Sequence, residues 1–149
     1  LYQALESGDV AVVFYRGAWC PICNRYLSNF ADSLELLTKA NIQPVFITPN
    51  RLEKLAETAD KTEGALTLLF DDNYGTMDAY RVSFSLTDGY RKMFKNYTSE
   101  TVEEMNGTSE AKLPVPATFV IGHDKKVKYV HFKYDYSKRA SVQDILNNK

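Results

Sequence analysis

The chain reads as a single α/β domain built on a mixed sheet, three parallel strands plus an antiparallel C-terminal hairpin, with helices on both faces. Three observations predict this. Short apolar runs rich in β-branched residues alternate with stretches of helical periodicity between Val10 and Phe70, a spacing that makes βαβ units and parallel strands. Near the C-terminus two such runs are joined only by Gly122-His123-Asp124-Lys125-Lys126, too short for a crossover, so that pair is antiparallel. Finally, 149 residues with 44% hydrophobic content suffice for one core without disulfide staples.

Val10-Ala11-Val12-Val13-Phe14-Tyr15 is the first buried strand. Ile22, Tyr26, Phe30, Leu34 and Leu37 then recur at helical spacing and predict one helix from Pro21 to about Ala40. Gln43 to Thr48 is the second strand, and Arg51 to Thr62, with Leu52, Leu55, Ala56 and Ala59 on one face, is the helix returning over the sheet. Leu66 to Phe70 is the third strand, and Asp72 or Asn73 is placed to cap a short helix through Met77 and Tyr80. Tyr90, Met93, Phe94 and Tyr97 fall at i, i+3, i+4 and i+7, so a helix is expected over about Asp88 to Thr98, its stripe serving core or lid packing. Ser99 to Lys112 is polar and reads as a solvated loop. Ala117 to Ile121 and Val127 to Tyr134 form the hairpin, and Ser141 caps a last helix carrying Val142, Ile145 and Leu146.

Charge and composition narrow the function classes. A net charge of −1 points to neither a nucleic-acid nor an acidic-membrane partner, and no apolar run approaches membrane-spanning length. No signal peptide is evident, although a chain that begins at Leu1 is consistent with N-terminal trimming. The two cysteines are too few for a secreted disulfide scaffold and fit a reducing, cytoplasmic setting.

Those two cysteines stand as Trp19-Cys20-Pro21-Ile22-Cys23, between the first strand and its helix. Three residues apart at a helix start, their Cα atoms come within about 5 Å, inside the range of a disulfide. Unpaired N–H groups and the positive dipole end favour a thiolate there, and Pro21 suits the first helical position. A zinc half-site and a pair of inert buried thiols are the competing readings. Zinc would need two further ligands, and only His123, His131 and carboxylates are on offer, without a second CxxC or a His-x₃₋₅-His pair. The strand–CxxC–helix context favours redox chemistry.

Strand, WCxxC, helix, strand, helix, then a proline-led hairpin and a final helix resembles the thioredoxin fold. Phe14 to Asn24, Leu113-Pro114-Val115-Pro116-Ala117-Thr118-Phe119-Val120-Ile121 and Asp135-Tyr136 with Arg139 resemble the peroxiredoxin-like branch of the alkyl-hydroperoxide-reductase/thiol-specific-antioxidant family, as does the extra strand and helix between Leu66 and Arg81. The resemblance implies a cis Val115–Pro116 bond facing the CxxC and presenting Val115 backbone groups to a substrate. It also implies a cysteine-based oxidoreductase without cofactor, acting on disulfides or peroxides and recharged by thioredoxin or glutathione. The departures favour disulfides. Peroxiredoxins carry Pro-x-x-x-Thr/Ser-x-x-Cys, and here Val13 and Gly17 hold the Pro and Thr/Ser positions. Pro116 occupies the region of their later arginine, and Phe14 stands where thioredoxins carry a buried acid.

The expected roles follow. Cys20, at the helix start, is the low-pKa nucleophile, shielded on one side by Trp19, and the deeper Cys23 is the resolving thiol. Arg16 is either a thiolate- or anion-stabilising group or a surface cation. His123 belongs about 20 Å away at the hairpin turn, while His131 returns opposite Thr118, nearer the cysteines. The leading expectation is thiol–disulfide exchange, followed by peroxide reduction and then by a non-catalytic redox-sensing module.

Overall fold

The computed structural model describes residues 1–149. Its strands are β1 (Asp9–Phe14), β2 (Ile42–Thr48), β3 (Thr67–Phe70), β4 (Ser83–Ser85), β5 (Lys112–Pro114), β6 (Ala117–Ile121) and β7 (Val127–Phe132). Five of them form the main sheet in the order β3-β2-β1-β6-β7, and β4 pairs with β5 in a second sheet. β1, β2 and β3 are parallel, whereas β6 runs antiparallel to both β1 and β7. The expected mixed sheet and C-terminal hairpin are therefore present.

The helices are α1 (Tyr2–Leu5), α2 (Pro21–Asp32), α3 (Leu34–Lys39), α4 (Leu52–Lys61), α5 (Gly75–Ala79), α6 (Asp88–Thr98), α7 (Val102–Asn106) and α8 (Val142–Asn147). Alternation along β1 sorts the core into two layers. Ala11 and Val13 face one way with Leu27, Phe30, Leu37 and Ile145 from α2, α3 and α8. Val10, Val12 and Phe14 face the other way with Leu5 of α1 and Met77 of α5. Helices thus cover both faces, and β1, dry on both sides, carries a near-continuous apolar run. No helix is long and apolar enough to cross a membrane.

Three local expectations are corrected. The helix predicted to Ala40 breaks at Ser33, which leaves helical geometry at φ −106°, ψ 6°. The break lets Leu37 join the same core as Phe30. The start of α5 is held by Asp71, whose two carboxylate oxygens accept the N–H groups of Thr76 (2.7 Å) and Met77 (2.8 Å). A 3-10 turn over Asp72–Tyr74, with Asn73 and Tyr74 at positive φ, intervenes before the helix, so neither Asp72 nor Asn73 caps it. The supposed loop from Ser99 to Lys112 contains α7, whose capping box joins Thr101 and Glu104, and Gly107 ends it in the left-handed region. Tyr2–Leu5, not assigned an element from sequence, form α1.

Candidate active site

The turn between β1 and α2 is held by side-chain hydrogen bonds to its backbone. Tyr15 N–H continues the parallel ladder to the Ile47 carbonyl at 3.0 Å. Gly17 then adopts φ +148°, and a Cβ there would run into the Asn50 carboxamide. The Asn50 side-chain oxygen accepts the Ala18 N–H at 3.1 Å, while its amide nitrogen donates to the Met105 carbonyl (3.3 Å) and to Asn106 Oδ1 (3.2 Å). The Ala18 carbonyl accepts from Asn24 Nδ2 (2.9 Å) and Lys61 Nζ (3.1 Å). Both backbone groups of Ala18 are thereby fixed just before Trp19 and Cys20.

Cys20 is the N-cap of α2, with Pro21 at the first helical position. Its Sγ accepts the Cys23 N–H at 3.3 Å, so one of the helix's unpaired donors already points at this sulfur. Cys20 and Cys23 lie 5.2 Å apart at Cα with their sulfurs at disulfide distance. Cys20 is 3% exposed and lies in the wall of a cleft of about 380 Å³, whereas Cys23 is fully buried behind it. An incoming sulfur or oxygen atom reaches Cys20 first.

The cleft is mostly apolar. Trp19 and Ile22 line it from the cysteine side, and Tyr90, Met93, Phe94 and Tyr97 from α6. Trp19 meets Phe94 edge to face at 4.7 Å between ring centroids. The α6 stripe thus divides, with Phe94 buried in packing and Met93 and Tyr97 left open along the cleft.

Two guanidinium groups sit among these apolar walls. Arg16 is only 6% exposed. It donates from Nη1 to the Tyr90 hydroxyl at 3.2 Å and stacks over the Tyr136 ring at 4.2 Å, while its Nε has no partner. Burial draws its pKa below the usual arginine value, against the opposing effects of Tyr90 and Tyr136. Arg139 donates from Nη2 to Cys23 Sγ at 3.2 Å and from Nε to the Tyr136 carbonyl at 2.8 Å, and it lies 5.1 Å from the Tyr26 ring centroid. Burial brings its pKa down to about 10; Tyr26 works against this and the Arg16 charge adds to it. No carboxylate acts on either guanidinium.

Of the expected site residues, Cys20, Trp19 and Arg16 come together in one cleft with Cys23 behind. Arg16 is buried there and is not a surface cation. Val115 and Pro116 are not among the residues lining that cleft. The chain has no cis peptide bond, so the cis geometry expected at Val115–Pro116 is corrected to trans, the ground state even for a bond preceding proline. The Val115 N–H donates to the Val82 carbonyl at 2.7 Å and is not available to an extended substrate. His131 pairs opposite Thr118 as expected, but its Nε2 lies 3.0 Å from the Lys138 carbonyl. His123 sits at the far end of the sheet beside Asp9. No three His, Cys, Asp or Glu side chains converge as a metal cage. Sequence reasoning assigned no role to Arg139, and its only signal was membership of the Asp135-Tyr136 … Arg139 run.

A family model described as the AhpC/TSA family matches residues 2–130. By sequence, no curated protein matches the chain. Among solved structures the chain is similar to peroxidoxin BcpB from Mycobacterium tuberculosis, at 21% identity over 99% of this chain and 81% of that one, with a TM-score of 0.72. It is also similar to the yeast mitochondrial 1-Cys peroxiredoxin, at 15% identity over 97% of this chain and 63% of that one, with a TM-score of 0.69. A third similarity is to the bacterioferritin comigratory protein of Xanthomonas campestris, at 12% identity over 97% of this chain and 77% of that one, with a TM-score of 0.67. At these identities the likeness establishes the peroxiredoxin type of thioredoxin-like fold.

Proposed function

We propose that this chain, which belongs to the AhpC/TSA family of cysteine-based oxidoreductases, carries out thiol–disulfide exchange through Cys20 and Cys23. The supporting observation is the division of labour between the sulfurs: Cys20 borders an apolar cleft and Cys23 is sealed behind it within disulfide reach. In this reading the Cys20 thiolate attacks a substrate disulfide and forms a mixed disulfide, releasing one substrate thiolate. Cys23 then attacks Cys20 Sγ, releases the second thiolate and leaves the oxidised pair. Trp19 supplies a flat approach and Arg16 an attraction for anionic substrate groups. Thioredoxin or glutathione is the proposed reductant; the yeast neighbour's thiol is described as resolved by the glutathione and thioredoxin systems. A reducing, cytoplasmic setting suits a pair that must be recharged.

Peroxide reduction is the second reading, favoured by family membership and by the alkyl peroxide reduction described for the Xanthomonas neighbour. Cys20 would pass to a sulfenic acid and Cys23 would condense with it, releasing water. Cleaving an O–O bond builds negative charge on the leaving oxygen and needs a donor aimed at it. Gly17 and Val13 place no side-chain donor before Cys20, which leaves Arg16 as the nearby candidate.

Parallel turnover of a model disulfide and of hydrogen peroxide, each coupled to a thioredoxin system, tests the ranking. The expected result is ready disulfide turnover and slow peroxide turnover. A rate constant for Cys20 oxidation by peroxide in the ~10⁴–10⁸ M⁻¹s⁻¹ range of evolved enzymes puts the peroxidase first. No turnover of either substrate, with partner capture in only one redox state, leaves a sensing module.

A further inference from the structure

Arg139 reaches Cys23 from a great distance along the chain, and it arrives without a counterion. Its Nη2 donates to Cys23 Sγ at 3.2 Å, and its Nη1 is buried with no acceptor. A disulfide sulfur is neutral and a weak acceptor, so in the oxidised state this contact returns little of what burying a guanidinium costs. A thiolate at the same place would be both a strong acceptor and the missing counterion.

The surrounding groups do not supply that charge. Around the pair stand Tyr26 of α2, Arg16 of the β1–α2 turn and Tyr136 of the segment after β7. The hydrogen bonds of Arg139 run only to the Tyr136 carbonyl and to Cys23 Sγ, neither of them a carboxylate.

We propose that Arg139 holds the reduced Cys23 as a thiolate, which makes Cys23 the leaving group when the disulfide is opened at Cys20 and poises the pair as an oxidant. An external thiolate of a small thiol or dithiol attacks Cys20 Sγ through the cleft. The Cys20–Cys23 bond breaks, and its electron pair stays on Cys23 Sγ beside Arg139. A second external thiolate attacks the mixed disulfide at the external sulfur, and Cys20 leaves as a thiolate with the helix N–H groups around it. Two external thiols are oxidised to a disulfide and the cysteine pair is reduced. In the opposite direction the same cation keeps Cys23 ready to resolve a mixed disulfide without a general base. Cys23 is then an activated sulfur alongside Cys20 at the helix start.

The inference rests on the exchange reading but is tested without turnover. Cys20→Ser isolates Cys23, whose thiolate fraction is followed by ultraviolet absorbance and alkylation rate against pH. The expected result is a Cys23 that is predominantly thiolate at neutral pH, with Arg139→Met lowering that fraction about tenfold and Arg139→Lys keeping at least half of the effect. In the two-cysteine protein, equilibration with glutathione buffers is expected to show Arg139→Met weakening the reduced form about tenfold, or ~30 mV toward a more reducing pair. A Cys23 in the Cys20→Ser protein with only the few per cent of thiolate typical of a free thiol at neutral pH overturns the proposal, whether or not Arg139→Met folds. So does a folded Arg139→Met whose glutathione equilibrium changes less than twofold. A protein that turns over neither disulfide nor peroxide yet shows these shifts would retire the exchange reading and leave the Arg139 assignment standing.

Discussion

Cations at the corner where α4 meets α6 and α7 are used differently from those beside the cysteines. At the corner, Arg51 and Lys54 share Glu100 at 3.0 and 3.1 Å, Lys54 also meets Glu57 at 3.3 Å, and Arg91 pairs with Glu103. Around the cysteines, Arg16 and Arg139 meet only phenol rings and oxygens, a carbonyl and a sulfur. The backbone there is held by hydrogen bonds with Asn50, Asn24 and Lys61 and not by either arginine. A cation already neutralised by a carboxylate has its field spent on structure. One left beside a sulfur keeps that field for a charge that appears during reaction.

The comparison breaks first at Cys20. Cys20→Ser should abolish disulfide turnover, a loss of at least about a thousandfold in kcat/KM, roughly 4 kcal/mol. Cys23→Ser should instead accumulate a mixed disulfide on Cys20, visible by intact mass. Equal residual activity in the two variants would remove the distinction between an entry sulfur and a buried one.

Gly17→Ala tests the close packing that holds the turn. Its φ of +148° and the clash with Asn50 predict a loss of about 1–3 kcal/mol in denaturant unfolding. A change within 0.5 kcal/mol, the ordinary range for a surface substitution, would contradict the close packing of this turn.

The two classes of arginine can be set against each other directly. Arg16→Met should lower kcat/KM for an anionic disulfide about tenfold or more, equivalent to roughly 1.4 kcal/mol, and Arg51→Met should stay within twofold. Stability should reverse the order. Glu100→Gln leaves Arg51 and Lys54 without their shared partner and should cost at most ~1 kcal/mol, as expected of partly exposed pairs. Arg139→Met, removing an uncompensated cation, should leave the oxidised protein no less stable. An oxidised Arg139→Met clearly less stable than the parent would place Arg139 among the structural cations.

The smallest effect is spectroscopic. Burial pushes the Tyr15 and Tyr26 phenols up to about 12. Above pH ~10 the unfolded chain releases these protons while the native state keeps them, so their contribution to stability falls as pH rises from about 10 to about 12. In an alkaline absorbance titration these two should ionise late, near pH 12. Tyr26→Phe should remove one late step.

Strong repeating patterns told most of the fold. The β-branched runs of β1, β2, β6 and β7, and the helical stripes of α2 and α6, each span several residues, long enough for periodicity to outweigh chance. Even the opposition of Thr118 and His131 followed from counting along the hairpin. Elements of three to five residues, such as β4, β5 and α7, carry no measurable period, although Thr101 and Glu104 wrote a capping box in plain view. The break at Ser33 depended on which residues found core contacts, a tertiary matter.

At the site, Trp19, Cys20 and Cys23 were legible because a strand end, a helix start and a three-residue spacing are local properties of the chain. Arg16 shared their neighbourhood, but only the packing of Tyr90 and Tyr136 around it decided that it is buried. Val115 and Pro116 were placed correctly at the foot of β6, yet the partner of the Val115 N–H was set by where Val82 lies. Arg139 stands 116 positions from Cys23, and no local rule links them. Their meeting is a consequence of the β6–β7 hairpin carrying the chain back beside α2. Chemistry written in adjacent residues can be read along the chain, whereas a charge delivered to a sulfur by a distant segment exists only once the sheet has formed.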